Sequence, residues 1–468
     1  MQNDFDVIVV GGGIAGLTAA VAAREAGATV ALLEAREVLG GSAALSGGEI
    51  YAAGTPEQKR AGIKDSPDDL YDYYRTISQF RVEPRMVRAF ADNAVQALEW
   101  AHAHGVKTDP PGVVDMSGVF RGHHVFGGGA GLIETLAACA RTAGVEIVFK
   151  SRVDGLVLEE GCVRGVRQGG DVYRSSAVVV ACGGFAQNPE LLQRHYPDAL
   201  AGGDWVGSHA APMCQGDALT LGAQAGADLT GENRGLVTVR PRPMKIFESK
   251  KYIFVNQRGQ RFMDESSYYS VIAHGIRKQP GSLAFYVFDE DARILNTSDY
   301  DSASPFNRLD LQLDWIGASK KAVATGRIAR GDTLAELAVQ VGMDPDVIEG
   351  TLDFFNVDVE RGKDSRFFKP SHYLAPVKRA PFYAVEARPC AVVLTGYGMR
   401  IDPGAHVLTP AGKSIPGLYA AGEAVGNHYG EVYVASGSSI CGGLVFGRFA
   451  GQNAAADARL ETAAPTLA

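Results

Sequence analysis

Apolar and polar positions fall in blocks along the chain, and the blocks predict its elements. Phe5–Val10 and Thr29–Leu33 are short apolar runs of strand length, separated by a helix that ends near Ala26. Asp68–Ser78 and Pro84–His104 read as helices, the second with Val87, Phe90, Ala94, Leu98 and Ala101 along one face. A helix from about Leu132 to Thr142 precedes Val145–Phe149, Val153–Glu159 and Val163–Arg167, expected as strands of a meander. Ala177–Ala181 is a buried strand running into Cys182-Gly183-Gly184, and Gly216–Ala227 is a helix of small residues.

From about Gly231 to near Pro376 the texture changes: glycine thins out, while charged and aromatic residues rise. Here Tyr252–Asn256 and Arg261–Met263 predict a hairpin around Gln257–Gln260 that runs on into Asp264–Tyr269. Leu283–Phe288 is another strand. Asp332–Gly342, with Asp332 as N-cap, and Pro345–Arg361 are helices. Strands then return at Tyr383–Val385, Val392–Thr395 and Leu418–Ala421, followed by a helix opening at Gly437-Ser438-Ser439. The last dozen residues read as a loose tail.

The first two strands carry chemistry. Between them lies Gly11-Gly12-Gly13-Ile14-Ala15-Gly16, and the second ends at Glu34-Ala35. Strand, GxGxxG, helix, strand and acid form a dinucleotide fingerprint: glycines admit the pyrophosphate, the helix start holds its charge, and the acid accepts from ribose hydroxyls. The expected contacts are Gly11, Gly13, Ile14, Ala15, Gly16, Glu34 and Ala35. Directly after comes a second small-residue segment from Gly40 to Gly48, with Gly41, Ser42, Ser46, Gly47 and Gly48 as contacts, suited to wrapping an extended cofactor. That favours FAD over NAD. No histidine precedes His102, so covalent attachment there is not expected and the FAD is read as non-covalent.

The fold class expected is therefore α/β. A discontinuous Rossmann-like FAD-binding domain (1–230 and 377–468), with a parallel sheet, helices and a β-meander, would carry an inserted α+β capping domain (231–376). The formal net charge of −8 argues against nucleic acid or an anionic membrane as partner. Six scattered cysteines lack zinc, haem or CxxC spacing, and no stretch is long and apolar enough to span a membrane. MQNDFDVIVV has no basic n-region, so the expected location is cytoplasmic.

The focal stretch is GLYAAGEAVGNHYGEVYVASGSSICGGLVFG, Gly417–Gly447. It reads as a buried strand, a Gly422-Glu423 turn, a loop carrying Tyr433 and a helix start at Gly437-Ser438-Ser439. That helix start would face the pyrimidine edge of a flavin, where reduction places negative charge, and would hold a ketone oxygen. Gly183, Gly422, Glu423, Ser438, Ser439 and Ile440 are expected cofactor contacts. Arg240 and Arg242 are candidates for anchoring a substrate carboxylate. His123-His124 has nothing nearby to complete a metal set, so no metal is expected.

VVGGGIAGLTAA, LGGSAALSGG, VVVACGGF, QRGQRFMDES and GLYAAGEAVG together resemble the fumarate reductase and 3-ketosteroid dehydrogenase flavoprotein superfamily over nearly the whole chain. The resemblance puts Glu423 on the flavin ribityl chain. Fumarate reductases carry cationic substrate groups, but here RFMDE is followed by Ser266-Ser267-Tyr268-Tyr269 and Gly437 is preceded by Tyr433-Val434-Ala435-Ser436, both without arginine. Tyr433-x-x-x-Gly437 looks instead like the 3-ketosteroid 1-dehydrogenases. There a tyrosine hydroxyl and a glycine N–H polarise the ketone, and a second tyrosine, at Tyr269 or Tyr268 here, removes the α-proton. The third active-site tyrosine of those enzymes has no counterpart; the region reads Arg121-Gly122-His123-His124.

A phenol with its usual pKa of about 10 is a weak base at neutral pH. His428, His123 and His124 are the candidates to assist it. Desaturation of a cyclic ketone, a steroid or a smaller oxocyclohexane, is the expected activity, with a separate electron acceptor. The alternatives are reduction of an activated alkene, and a non-catalytic flavin-binding protein.

Overall fold

The computed structural model describes residues 4–241, 250–295 and 315–463, which divide into two compact units. One comprises Met1–Pro197, Ser208–Leu236 and Val393–Ala468; the other comprises Asp198–Gly207 and Val237–Val392.

The first unit is built on a mixed sheet whose centre is parallel. Asp4–Val10 pairs with Val30–Leu33 on one side (Val7 opposite Val30) and with Asp171–Val180 on the other (Ile8 opposite Val178). Ser414–Ala420 extends the sheet beyond Asp171–Val180, again parallel. Val7–Val10, Val30–Leu33, Ala177–Val180 and Leu418–Ala420 are buried and almost wholly aliphatic, as a parallel sheet covered on both faces requires. Glu146–Val148 pairs parallel with Val30–Leu33, so this run is the edge strand of the central sheet and not part of a meander. The antiparallel pairs run from Gly155–Glu159 to Cys162–Gln168 and on to Asp171–Val180.

Helix Ile14–Glu25 packs along the C-terminal helix Ser438–Ala463, and glycines set how close they come. A Cβ on Gly443 would stand 2.8 Å from the Ile14 side chain, and one on Gly447 would stand 2.6 Å from the Ala15 carbonyl oxygen. A Cβ on Gly451 would fall on the carbonyl oxygen of Ala19. Spaced four apart, these residues line one face and let the two backbones meet. The same helix continues to Ala463, so the first part of the expected C-terminal tail is helix, with Ala458 buried.

In the second unit Ile253–Val255 and Ala284–Asp289 form an antiparallel sheet with the strand Phe382–Thr395, whose last three residues belong to the first unit. Phe382–Thr395 is one strand where two were expected. Tyr252 stacks on Phe288 at 4.3 Å inside it. The expected hairpin is reduced to a single bridge between Val255 and Arg261. Arg261 is buried: its guanidinium meets Glu265 at 2.7 Å and Asp364 at 2.9 Å, and Lys369 lies 3.3 Å from Glu265. Two cations facing two carboxylates account for the charged residues of the RFMDE segment as a structural lock. Helices Leu334–Val341 and Pro345–Glu360 complete the unit. Thr333, and not Asp332, caps the first, in a reciprocal box with Glu336.

Gly350 and Gly451 give a paired test of packing. Nothing lies within 4 Å of a Cβ on Gly350, inside helix Pro345–Glu360. Gly350→Ala should therefore stabilise the protein by about 0.5–1 kcal/mol. Gly451→Ala should destabilise it by about 1–3 kcal/mol, because a helix has to move. Denaturant unfolding measures both, and equal effects would contradict the close helix contact.

Candidate functional site

Because Asp4–Val10, Val30–Leu33, Asp171–Val180 and Ser414–Ala420 are parallel, their C-terminal ends share one edge of the sheet. Every predicted cofactor segment of the first unit starts there or is tied to it. That edge is where open α/β sheets bind ligands.

At the first strand end Gly11 has φ +100° and approaches the backbone of Ala181 so closely that a Cβ would lie 2.6 Å from its oxygen. Gly13 then opens helix Ile14–Glu25 with no side-chain cap and no acid in the first turn. Its N–H groups are thus left for an anion. Ile14, Ala15 and Gly16 are buried in that turn. Glu34, 8% exposed, accepts from Gly12 N–H at 2.8 Å and Arg36 N–H at 2.9 Å, which fixes its carboxylate beside the glycine turn. Ala35 follows in a half-buried bend.

The second glycine segment is fastened to the first: Gly40 N–H donates to the Gly12 carbonyl at 2.8 Å. Gly41 and Ser42 lie in a short 3-10 turn, where Ser42 Oγ accepts from Ala211 N–H at 3.0 Å and lies 3.4 Å from Cys214 Sγ. Ser46 Oγ donates to Ala43 O at 2.7 Å and accepts from Gly48 N–H at 3.2 Å, closing the turn around Gly47. Cys214 Sγ also stands 3.4 Å from where a Gly183 Cβ would be, which joins the third strand end to the same shell.

At the fourth strand end, Gly422 abuts Ala15, where a Cβ would come within 2.8 Å. Glu423 Oε1 accepts from Thr395 N–H at 2.7 Å and Thr395 Oγ1 at 3.0 Å. Burial pushes its pKa up to about 7 despite those two donors. Sequence reasoning found Glu423 but not Thr395, whose partnership depends on a separate strand.

Tyr433 is buried and folds back on the helix start. Its hydroxyl donates to Ser439 Oγ at 2.9 Å and accepts from Ser439 N–H at 3.1 Å, so the phenol itself caps helix Ser438–Ala463. Burial raises its pKa above 10, the Ser438 and Ser439 hydrogen bonds work against that, and the Glu49 charge adds to the rise. It is therefore a neutral donor. Ser438 Oγ donates to Ala435 O at 2.9 Å, and Ile440 is buried in the same turn. Gly437, at φ +88°, lies on Glu49: a Cβ there would be 2.8 Å from Glu49 Cβ and backbone oxygen.

Glu49 was not singled out from sequence, where only its place after Ser46-Gly47-Gly48 marks it. It is 2% exposed, accepts from Ser436 Oγ at 3.0 Å and faces His124 Nδ1 at 3.1 Å. The other two histidine candidates are differently placed. His123 is fully buried, with Nε2 3.0 Å from Thr55 Oγ1 and Nδ1 3.0 Å from the Arg121 carbonyl, and burial lowers its pKa. His428 is walled by Tyr74, Phe90, Tyr429 and Phe446 with neither ring nitrogen hydrogen-bonded, and burial lowers its pKa to about 4.

Tyr268 and Tyr269 belong to the second unit. They do not sit on a strand: Tyr268 is the N-cap and Tyr269 the first residue of helix Tyr269–Arg277. Their rings are 4.4 Å apart. Arg242 and the side chain of Arg240 lie outside the described residues.

Glycine turn, uncapped helix, Glu34, the Gly40–Gly48 wrap and Glu423 together fit an extended dinucleotide, and they define the chain as a flavoprotein of the dinucleotide-binding fold. The chain belongs to the FAD binding domain family, whose match covers residues 6–440, within the fumarate reductase and succinate dehydrogenase flavoprotein superfamily. It is similar to the 3-ketosteroid-Δ4-(5α)-dehydrogenase of Rhodococcus jostii RHA1, with 27% identity, a TM-score of 0.81 and 97% of each chain covered. It is 29% identical over 469 residues to the NADH:fumarate oxidoreductase of Klebsiella pneumoniae, covering 98% of this chain and 48% of that one. It is 29% identical over 470 residues to a fumarate reductase (cytochrome) of Shewanella frigidimarina, covering 97% and 77% respectively. The chain thus spans about half the length of the first of these relatives and about three-quarters of the second. It is an FAD-dependent oxidoreductase. Among the described residues no helix is long and apolar enough to cross a membrane.

Glu423 makes a pH prediction for the flavin-free protein. Between its ordinary pKa of 4.5 and about 7, the unfolded chain ionises this carboxyl while the native protein keeps it protonated. Its contribution to stability is fully present at and below pH 4.5, is lost as pH rises to about 7, and is level beyond. Glu423→Gln should remove that decline from the stability–pH curve of the apoprotein. Superimposable curves for the two proteins would show that Glu423 has an ordinary pKa.

Proposed function

We propose that this protein desaturates the α,β carbon pair of a cyclic ketone and passes the electrons to a separate acceptor. The observation that carries this reading is the make-up of the helix start at Gly437–Ser439. It offers the Tyr433 and Ser439 hydroxyls and backbone N–H groups, its loop carries no cation, and a buried carboxylate, Glu49, lies directly behind it. Neutral donors suit a carbonyl oxygen, and a loop without a cation offers a dicarboxylate no counter-charge.

The Tyr433 and Ser439 hydroxyls share their protons, so an incoming carbonyl can take a hydrogen bond from the pair without leaving the phenol unpaired. Hydrogen bonds to that oxygen, with the helix dipole behind them, stabilise the enolate that forms as the α-proton leaves. The proton-accepting role falls to Tyr269, with Tyr268 as the alternative, on the family resemblance alone. Gly11, Gly13–Gly16, Glu34, Gly41–Gly48 and Glu423 hold the dinucleotide, and bound FAD supplies the hydride acceptor.

A second reading, reduction of an activated alkene, is favoured by the names of the Klebsiella and Shewanella relatives. The two share one site run in opposite directions. Anaerobic mixing separates them: bleaching of the oxidised flavin by saturated cyclic ketones supports desaturation. Reoxidation of the reduced flavin by enones, with no bleaching by ketones, supports reduction. No response to either class would overturn both.

Tyr433→Phe should slow flavin bleaching by ketone about 100-fold or more while FAD stays bound. An unchanged rate would remove Tyr433 from the chemistry. With no covalent tether, acid precipitation should release all the flavin to the supernatant. A yellow pellet would contradict non-covalent binding.

A further inference from the structure

Glu49 poses an electrostatic problem for the site proposed above. A carboxylate lies behind the turn where negative charge is to build up, and its charge already reaches the Tyr433 phenol. It is 2% exposed, so solvent does little to screen it. Left alone, it would oppose an enolate at the Tyr433–Gly437 donors. The structure gives it one histidine partner: Glu49 pairs with His124 across neighbouring antiparallel strands, and its Oε1 faces His124 Nδ1 at 3.1 Å. Its other oxygen accepts from Ser436 Oγ at 3.0 Å, in the loop that carries Tyr433.

Resting on the ketone-binding reading above, we propose that His124 is a positioning residue whose imidazolium cancels the Glu49 charge, so that the Tyr433–Gly437 turn can hold an oxyanion. With a carboxylate at Nδ1, that nitrogen is the donor. The His124 side chain is 19% exposed. Protonated, the pair is neutral; deprotonated, it leaves one negative charge behind the turn. The pair thus sets the charge state of the site without touching the reacting atoms.

The neighbouring elements carry other ionisable groups. Arg121, two residues before His124, is held by Asp65 and Asp115, and Tyr51 donates to Asp115. The His123 ring is turned to Thr55, and His102 bonds Thr108. Asp109 and Lys107 meet this strand through their backbones: Asp109 N–H donates to His124 O, and the Lys107 carbonyl accepts from Phe126 N–H. Helix Ser438–Ala463 has no acid in its first turn. From the loop before it, Tyr433 and Ser436 face Glu49.

The test is a double-mutant cycle on the FAD-loaded protein. His124→Asn keeps a donor for Glu49 but removes the charge. It should slow flavin bleaching by cyclic ketone about tenfold or more. Glu49→Gln should make the rate insensitive to the loss of His124, so the double variant Glu49→Gln/His124→Asn should recover most of the loss. A readout without turnover uses 4-nitrophenol as an oxyanion probe. The wild type should bind it as the phenolate, His124→Asn should shift the bound form toward the neutral phenol, and the double variant should shift it back. If the double variant is no better than His124→Asn, or if His124→Asn leaves rate and probe unchanged, the pair does not set the charge of the site. Failure of the wild type both to bleach with ketone and to bind the probe would instead overturn the ketone-binding reading itself.

Discussion

The site depends on how closely two helices approach. Gly443, Gly447 and Gly451 present one bare face of the C-terminal helix to Ile14, Ala15 and Ala19 of the first, and at Gly451 there is no room for even a methyl group. Because the contact is backbone against side chain or backbone, it fixes the C-terminal helix along the first one. One consequence is that the chain's two ends, more than four hundred residues apart, deliver two helix starts to one region. Gly13 opens one with its N–H groups uncapped. Gly437–Ser439 opens the other, capped by a phenol. Helix starts carry partial positive charge, so both favour negative partners.

The four parallel strands do the complementary work. Their shared direction brings the Gly11 turn, Glu34, Gly183 and Glu423 to one edge, where each had been expected to contact FAD. Interlocks across that edge are short and polar: Gly12 with Glu34 and Gly40, Ser42 with Ala211, and Glu423 with Thr395. These bonds use donors and acceptors that would otherwise be unpaired in a buried place, where an unmade hydrogen bond costs about 1–3 kcal/mol. The frame that holds the cofactor is thus rigid for reasons independent of the chemistry performed on it.

Charge is distributed unevenly over this frame. Arg121 and Arg261 are fully buried, each answered by two carboxylates, and both serve packing. Glu49 differs in having a histidine as its only ion-pair partner among the described residues, at the turn proposed to hold the substrate oxygen. A permanent guanidinium makes a fixed ion pair. An imidazole makes one that depends on pH.

The dinucleotide half of the protein was legible in the sequence because its signal is local. GxGxxG must sit between a strand and a helix, and the acid follows within one βα unit, so short-range spacing determines fold and cofactor. What tertiary structure alone decided involves partners far apart in the chain. Glu146–Val148 joins the parallel sheet, Tyr269 begins a helix, and helix runs into the expected tail as far as Ala463, each through packing that a local pattern does not contain. The same holds for Glu49, His124 and Ser436: an unremarkable glutamate, one of a histidine pair and a loop serine become a charged unit only when strand pairing and a helix start converge on them. Sequence spacing records what neighbours along the chain can do, and electrostatics depends on distance in space.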